Sequence, residues 1–93
     1  MTVALLSVEL FMPGSRSLKD KRMVLRRLKD RLSASNVAVA EVAHQDLWQR
    51  AGLAIATVAT DDRGADETLQ GALREIERLE PGLVTRSEVE FLR

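Results

Sequence analysis

Residues 37–60 read VAVAEVAHQDLWQRAGLAIATVAT. Two runs of small and β-branched residues flank a polar patch, His44-Gln45-Asp46-Leu47-Trp48-Gln49-Arg50. Residues 37–43 carry valine at 37, 39 and 42, and residues 52–60 form a second apolar run, so the stretch predicts two paired strands. The patch becomes the tip that joins them. It is longer than the favoured two-residue hairpin turn, so it leaves room for a bulge or a single helical turn. Non-minimal connections more often carry function. The alanines 51, 54, 56 and 59 predict that a helix backbone lies close to the second strand.

Working outward, residues 2–12 alternate. Ala4, Leu6, Val8 and Leu10 share one face; Val3, Leu5, Ser7, Glu9 and Phe11 share the other. Period two predicts a strand covered on the first face and partly wet on the second, stopped by Pro13-Gly14. Ser17 is a helix N-cap, and Asp20 three residues on approximates a capping box. Leu18, Val24, Leu25, Leu28 and Leu32 follow at helical spacing to about residue 33. Lys21 falls inside that stripe. It either snorkels to water from the first turn or is aimed at an anion near the sheet edge.

After the hairpin, Asp61 or Asp62 caps a second helix with Ala65, Leu69, Ala72 or Leu73, Ile76 and Leu79 on its apolar face. Pro81-Gly82 ends it. Residues 83–93 mix Val84, Val89, Phe91 and Leu92 with Arg86, Glu88 and Glu90, which fits a polar strand at a sheet edge. The order is β-α-β-β-α-β: an α+β, ferredoxin-like domain occupying residues 1–93, with a four-stranded antiparallel sheet and both helices on one face. The other face, with Val3, Leu5 and Phe11, is left for a second subunit. A homodimer through that open face or through an edge strand is expected.

The bulk composition narrows the function. The 93 residues suit one domain with one core. The absence of cysteine removes disulfides, zinc-thiolate sites and thiol nucleophiles. No apolar run approaches the roughly 20 residues of a membrane span. The first residues read as a strand rather than a signal peptide, and a cytoplasmic protein with no membrane partner is expected.

Net charge is zero, yet residues 16–31 hold eight basic and two acidic side chains, and residues 61–80 hold seven acidic and three basic. Either the two helices pair across their groove or each attracts an oppositely charged partner. Zero net charge is unlike a strongly basic nucleic-acid binder. The 3% aromatic content lacks the paired aromatics of an RNA-stacking sheet.

The single histidine and the missing cysteines leave no metal site or cofactor to expect. Asp61-Asp62 read as caps. His44 is either a surface hydrogen-bonding group or, with Asp46 two residues on, an acid–base pair. Trp48 either plugs the bottom of the core or stands out as a stacking or interface anchor.

SLKDKR at residues 17–22 and VAEVAHQDLWQRAGLAIATV at residues 39–58 together resemble the YlxP-like family of small bacterial proteins, a family of unknown function. The resemblance covers essentially the whole chain and implies the same ferredoxin-like fold. It supplies no catalytic residue or substrate. Ala43 departs from the pattern, which often has Asp there. Genes of the family often lie beside translation and ribosome-maturation genes, which directs expectation toward RNA or the ribosome.

The expected function is therefore a non-enzymatic binding module acting on RNA or a ribosome-associated partner. Its candidate residues are Lys19, Lys21 and Arg22 at the first helix start and His44, Gln45, Asp46, Trp48 and Arg50 at the tip. The alternative is a small-molecule regulatory domain at a dimer interface, with Lys21 holding an anionic group.

Overall fold

The computed structural model describes all of residues 1–93. Its elements are β1 (Thr2–Phe11), α1 (Leu18–Leu32), β2 (Ala38–Ala43), β3 (Arg50–Ala59), α2 (Asp62–Leu79) and β4 (Val84–Leu92). The sheet is antiparallel with strand order β2-β3-β1-β4. This is the expected ferredoxin-like arrangement. β4 lies at one edge, as its polarity predicts, and β2 lies at the other.

Alternation decides which face is covered. Ala4, Leu6, Val8 and Leu10 of β1 and Ala51, Leu53 and Ile55 of β3 are buried beneath Leu25, Leu28 and Leu32 of α1 and Ala65, Leu69, Ala72 and Ile76 of α2. Burying each large aliphatic side chain contributes about 1.5–3 kcal/mol. The alanines of β3 divide. Ala51 is buried and Ala59 packs against the core. Ala54 and Ala56 alternate onto the face away from the helices, so the expected close helix approach does not explain them.

The helix ends follow their caps. The Ser17 hydroxyl accepts from the Asp20 N–H at 3.0 Å. The Asp20 carboxylate accepts from the Arg16 N–H, one residue short of a full capping box. Asp61, not Asp62, caps α2 by accepting from the Gly64 N–H at 2.8 Å. After α2 the chain turns through Gly82 at φ 81°, a conformation that glycine adopts without a Cβ penalty.

The charge split is partly consumed inside the molecule. Arg27 pairs with Glu80, and Arg31 reaches Glu75 at 3.5 Å. Arg78, chiefly, with Arg31 adding, holds the Glu75 carboxyl below its usual value. Such surface pairs set register more than stability.

Asp62 joins three elements. It accepts from the Thr2 hydroxyl at 2.8 Å and from Arg93 at 2.6 Å. The Arg93 hydrogen bond, then that of Thr2, hold its carboxyl below the usual 3.8. A carboxyl lowered by folding contributes stability that is present above its unfolded value and lost as pH falls through the folded one. Thermal melts of Asp62→Asn should therefore lose less midpoint than the parent on acidification below about pH 4. Equal losses in the two proteins would show that this carboxylate is uncoupled from folding.

Candidate functional site

The two signature stretches meet through Lys21. Its place in the α1 stripe is neither snorkelled nor solvent-facing. The residue is 1% exposed, and Nζ donates to the carbonyls of His44 at 2.9 Å, Gln45 at 3.1 Å and Arg50 at 3.3 Å. Those three bonds use the three protons of an ammonium. Glu41 of β2 supplies the counter-charge, with Oε2 2.8 Å from Nζ. Glu41 Oε2 is buried and has no hydrogen bond of acceptable angle, so the contact is an ion pair rather than a fourth directed bond.

Lys21 is therefore aimed at an anion, as one reading of the sequence had it, but the anion belongs to the chain. It is corrected from a partner-binding residue to the anchor of the tip. With its donors used and its charge sealed from water, it presents nothing to an outside phosphate or to an anionic ligand.

The joining segment is shaped by that anchor. β2 bulges between Glu41 and Ala43, and His44 then adopts φ 63°. This left-handed conformation is uncommon outside glycine. It turns the His44 carbonyl to accept from both Lys21 and the Leu47 N–H, the latter at 3.0 Å.

The His44 ring meets Glu9 rather than Asp46, with Nε2 2.8 Å from Oε1. Arg50 donates to the same oxygen at 3.3 Å. The pairing of His44 with Asp46 is thus replaced by a His44–Glu9–Arg50 cluster on the open face of the sheet. Gly52 makes room for it. A Cβ there would lie 2.7 Å from the Ala43 Cβ and 2.7 Å from Glu9 Oε2.

Gln49 ties the tip to the β1–α1 loop. Its side-chain amide donates to the carbonyls of Pro13 and Ser15, and its own carbonyl accepts from the Met12 N–H at 2.7 Å.

With these groups engaged, the apolar side chains of the tip stand outside. Trp48 is 54% exposed, Leu47 46% and Phe11 45%. Trp48 is not the core plug; it is an exposed anchor. Together with Asp46, Gln49 and Arg50 these three line an open groove of about 530 Å³. Gln45 and Asp46 are exposed.

Lys19 and Arg22 are exposed on α1 and make no ion pair or side-chain hydrogen bond with the tip. With Arg26 and Lys29 they recur three or four residues apart along one exposed face. None of the four is paired, unlike Arg27 and Arg31. No three potential ligand side chains gather as a metal site, and no helix is long and apolar enough to cross a membrane.

Three of these residues, Glu41, Glu9 and Gly52, were missed by sequence reasoning. Glu41 shares the inward face of β2 with Val39, one acid on an apolar face. Lys21 is one base on the facing helical stripe. Two misplaced charges of opposite sign are the signal of a buried pair. The third, Gly52, carries no such signal, because the bulge that brings Ala43 close is not readable from composition.

Fold and site together define a small ferredoxin-like domain whose β2–β3 connection is locked to the first helix and displays an aromatic groove. The chain belongs to the family described as "Protein of unknown function (DUF503)", whose model matches residues 3–89. It is 38% identical over 79 residues to the "Uncharacterized protein YlxP" of Bacillus subtilis (strain 168), covering 77% of this chain and 82% of that protein. The family resemblance read in SLKDKR and the hairpin is thus confirmed.

Among solved structures, the de novo designed protein Foldit4 matches with a TM-score of 0.54 at 15% identity, over 99% of this chain and 96% of that one. A C-terminal segment of the alpha subunit of aIF2 from Pyrococcus abyssi matches with a TM-score of 0.53 at 23% identity, over 98% of this chain and 50% of that one. At such identities the likeness speaks for the fold alone.

Lys21→Met should lower unfolding free energy by about 3–5 kcal/mol, because it leaves Glu41 and three carbonyls without their partner. Urea denaturation checks this. Adding Glu41→Leu to Lys21→Met should recover part of the loss. A fully folded Lys21→Met with an unchanged midpoint would remove Lys21 as the anchor.

Proposed function

We propose that this domain is a non-enzymatic RNA-binding module of the cytoplasm, in which α1 takes phosphates and the tip takes an unpaired base. The observation that supports it most is the exposed row Lys19, Arg22, Arg26 and Lys29, free of internal partners while its neighbours Arg27 and Arg31 are bound to α2. At 1.5 Å per residue the row extends about 15 Å, enough for several successive phosphates.

Net neutrality does not oppose this reading. Half of the 14 acids lie in residues 61–80, where Glu67, Glu75 and Glu80 already have arginine partners. The positive potential of α1 therefore faces solvent. Trp48 offers an exposed π-face with Arg50 beside it, the pairing that stacks on single-stranded bases. The family resemblance, through its genetic neighbourhood, points in the same direction.

Co-sedimentation with ribosomal subunits, and filter binding to single-stranded ribosomal RNA at several salt concentrations, test the reading. Four phosphate contacts predict log K falling with log salt at a slope of roughly −3. Lys19→Ala/Arg22→Ala should flatten that slope by about 1.4. Trp48→Ala should weaken binding by about 1–3 kcal/mol with the slope unchanged. Binding insensitive to salt, or no binding by the folded protein, would overturn it. Lys21 variants are unsuited to this test because they report on folding.

A further inference from the structure

The sheet face opposite the helices is covered by nothing in this chain. The strand registers place its side chains in rows. Ala40, Ala54, Ser7 and Glu88 form a central row across β2, β3, β1 and β4. On one side of it stand Ala38, Ala56, Leu5 and Glu90, then Val58 and Val3. On the other stand Ala43, Gly52, Glu9 and Arg86, then Arg50 and Phe11. The β2–β3 half of this face, from Ala38 to Val58, bears no polar side chain until His44 and Arg50. Val58 remains 53% exposed.

We infer that this face binds a second copy of the chain, face to face, about a two-fold axis running across the strands at the central row. Such an axis sets each strand against its own counterpart and exchanges the rows on either side. Glu90, which has no ion pair in its own chain, then meets Arg86 of the second copy. The second copy's Leu5 lies over the stem of Glu9, whose carboxylate is already held by His44 and Arg50. Phe11 meets the second copy's Val3, and Arg50 meets its Val58. The groove beside Trp48, open in one chain, thereby gains a wall from the other. Glu88, on the axis, faces its own counterpart, each neutralised by Arg86 of its own chain at 3.7 Å, and the Glu90–Arg86 and Phe11–Val3 contacts repeat on either side.

The area is sufficient. Strands of ten, six, ten and nine residues give a face of roughly 550 Å² per copy at about 3.3 Å per residue and 4.8 Å per strand. That is about 1,100 Å² for the pair, just above the roughly 1,000 Å² that a specific interface must clear.

The sheet edges are poorer candidates. β2 is protected by its bulge and by the inward-pointing Glu41, and β4 by exposed Thr85, Arg86, Glu88 and Glu90. Of the two expected dimer modes, the open face is the one supported. The interface shares Phe11 and Arg50 with the Trp48 groove of the RNA reading, whereas the basic row of α1 lies on the opposite side of the sheet.

Sedimentation equilibrium tests it at protomer concentrations up to about 100 μM, where a micromolar dimer is almost fully formed. The parent should sediment as a dimer. Ala54→Lys, at the axis, should sediment as a monomer with a native circular-dichroism spectrum. Arg86→Glu and Glu90→Arg should each weaken dimerisation about tenfold, and the double substitution should restore it. A monomeric parent, or a dimer indifferent to Ala54→Lys, would overturn the interface. Failure of the double substitution to restore dimerisation would overturn the axis.

Discussion

Three protons on Lys21 Nζ meet three backbone carbonyls of the β2–β3 connection, and the form of this domain depends on that meeting. A surface connection would ordinarily satisfy such carbonyls with water. Here they converge on a charge delivered from the first turn of α1. The cost of burying that charge is offset by Glu41 and by complete use of its donors. Because the partners are backbone atoms, the bond fixes the path of the chain rather than the identity of the side chains. The side chains at the tip are thereby free to face outward.

The tip is held from both faces of the sheet. Lys21 and Glu41 act from the helix side, and Glu9 acts from the open side through His44 and Arg50. His44 belongs to both systems, its carbonyl in one and its ring in the other. That dual role accounts for its left-handed backbone. At φ 63° the residue sends the two groups in different directions, and the strain, of order 1–3 kcal/mol, persists because both directions are bonded. Gly52 is required for a related reason, since the bulge before His44 brings Ala43 into the space of its absent Cβ. A connection fixed by so many polar contacts is a stable platform for Phe11, Leu47 and Trp48. Exposed aromatics on a rigid platform lose little conformational entropy on binding.

The fold was legible because it rests on periodicities. Alternation in residues 2–12 and helical spacing in the segments after Ser17 and Asp61 are local patterns that survive without coordinates. The site was legible only in outline. The two signature stretches could be named, yet their meeting depends on strand length and on the bulge at Val42, which no local pattern encodes. Lys21 stood out as anomalous, and its partner was findable in principle, since Glu41 is equally anomalous on β2. Trp48 was ambiguous because composition does not say which side of a turn faces water. His44 was placed with Asp46 on the assumption of extended backbone, and a positive φ breaks that assumption.

Seen from its charges, the molecule divides into two populations. The buried or shared ones, Lys21 with Glu41 and Glu9 with His44 and Arg50, define the architecture. Four of the unpaired ones, Lys19, Arg22, Arg26 and Lys29, define a surface. The first population sits at the end of the sheet, where the helix start and the tip meet. The second runs along α1, on the helix side. The open face, whose β2–β3 half is apolar, lies on the other side of the sheet from that row. Pairing through that face would turn both basic rows outward and would set the two tips at opposite ends of the assembly. Each tip would lie against the far end of the other copy's strands. Charge in the protomer and apolar area on the sheet thus make separate demands, and one two-fold arrangement meets both without moving an element of the fold.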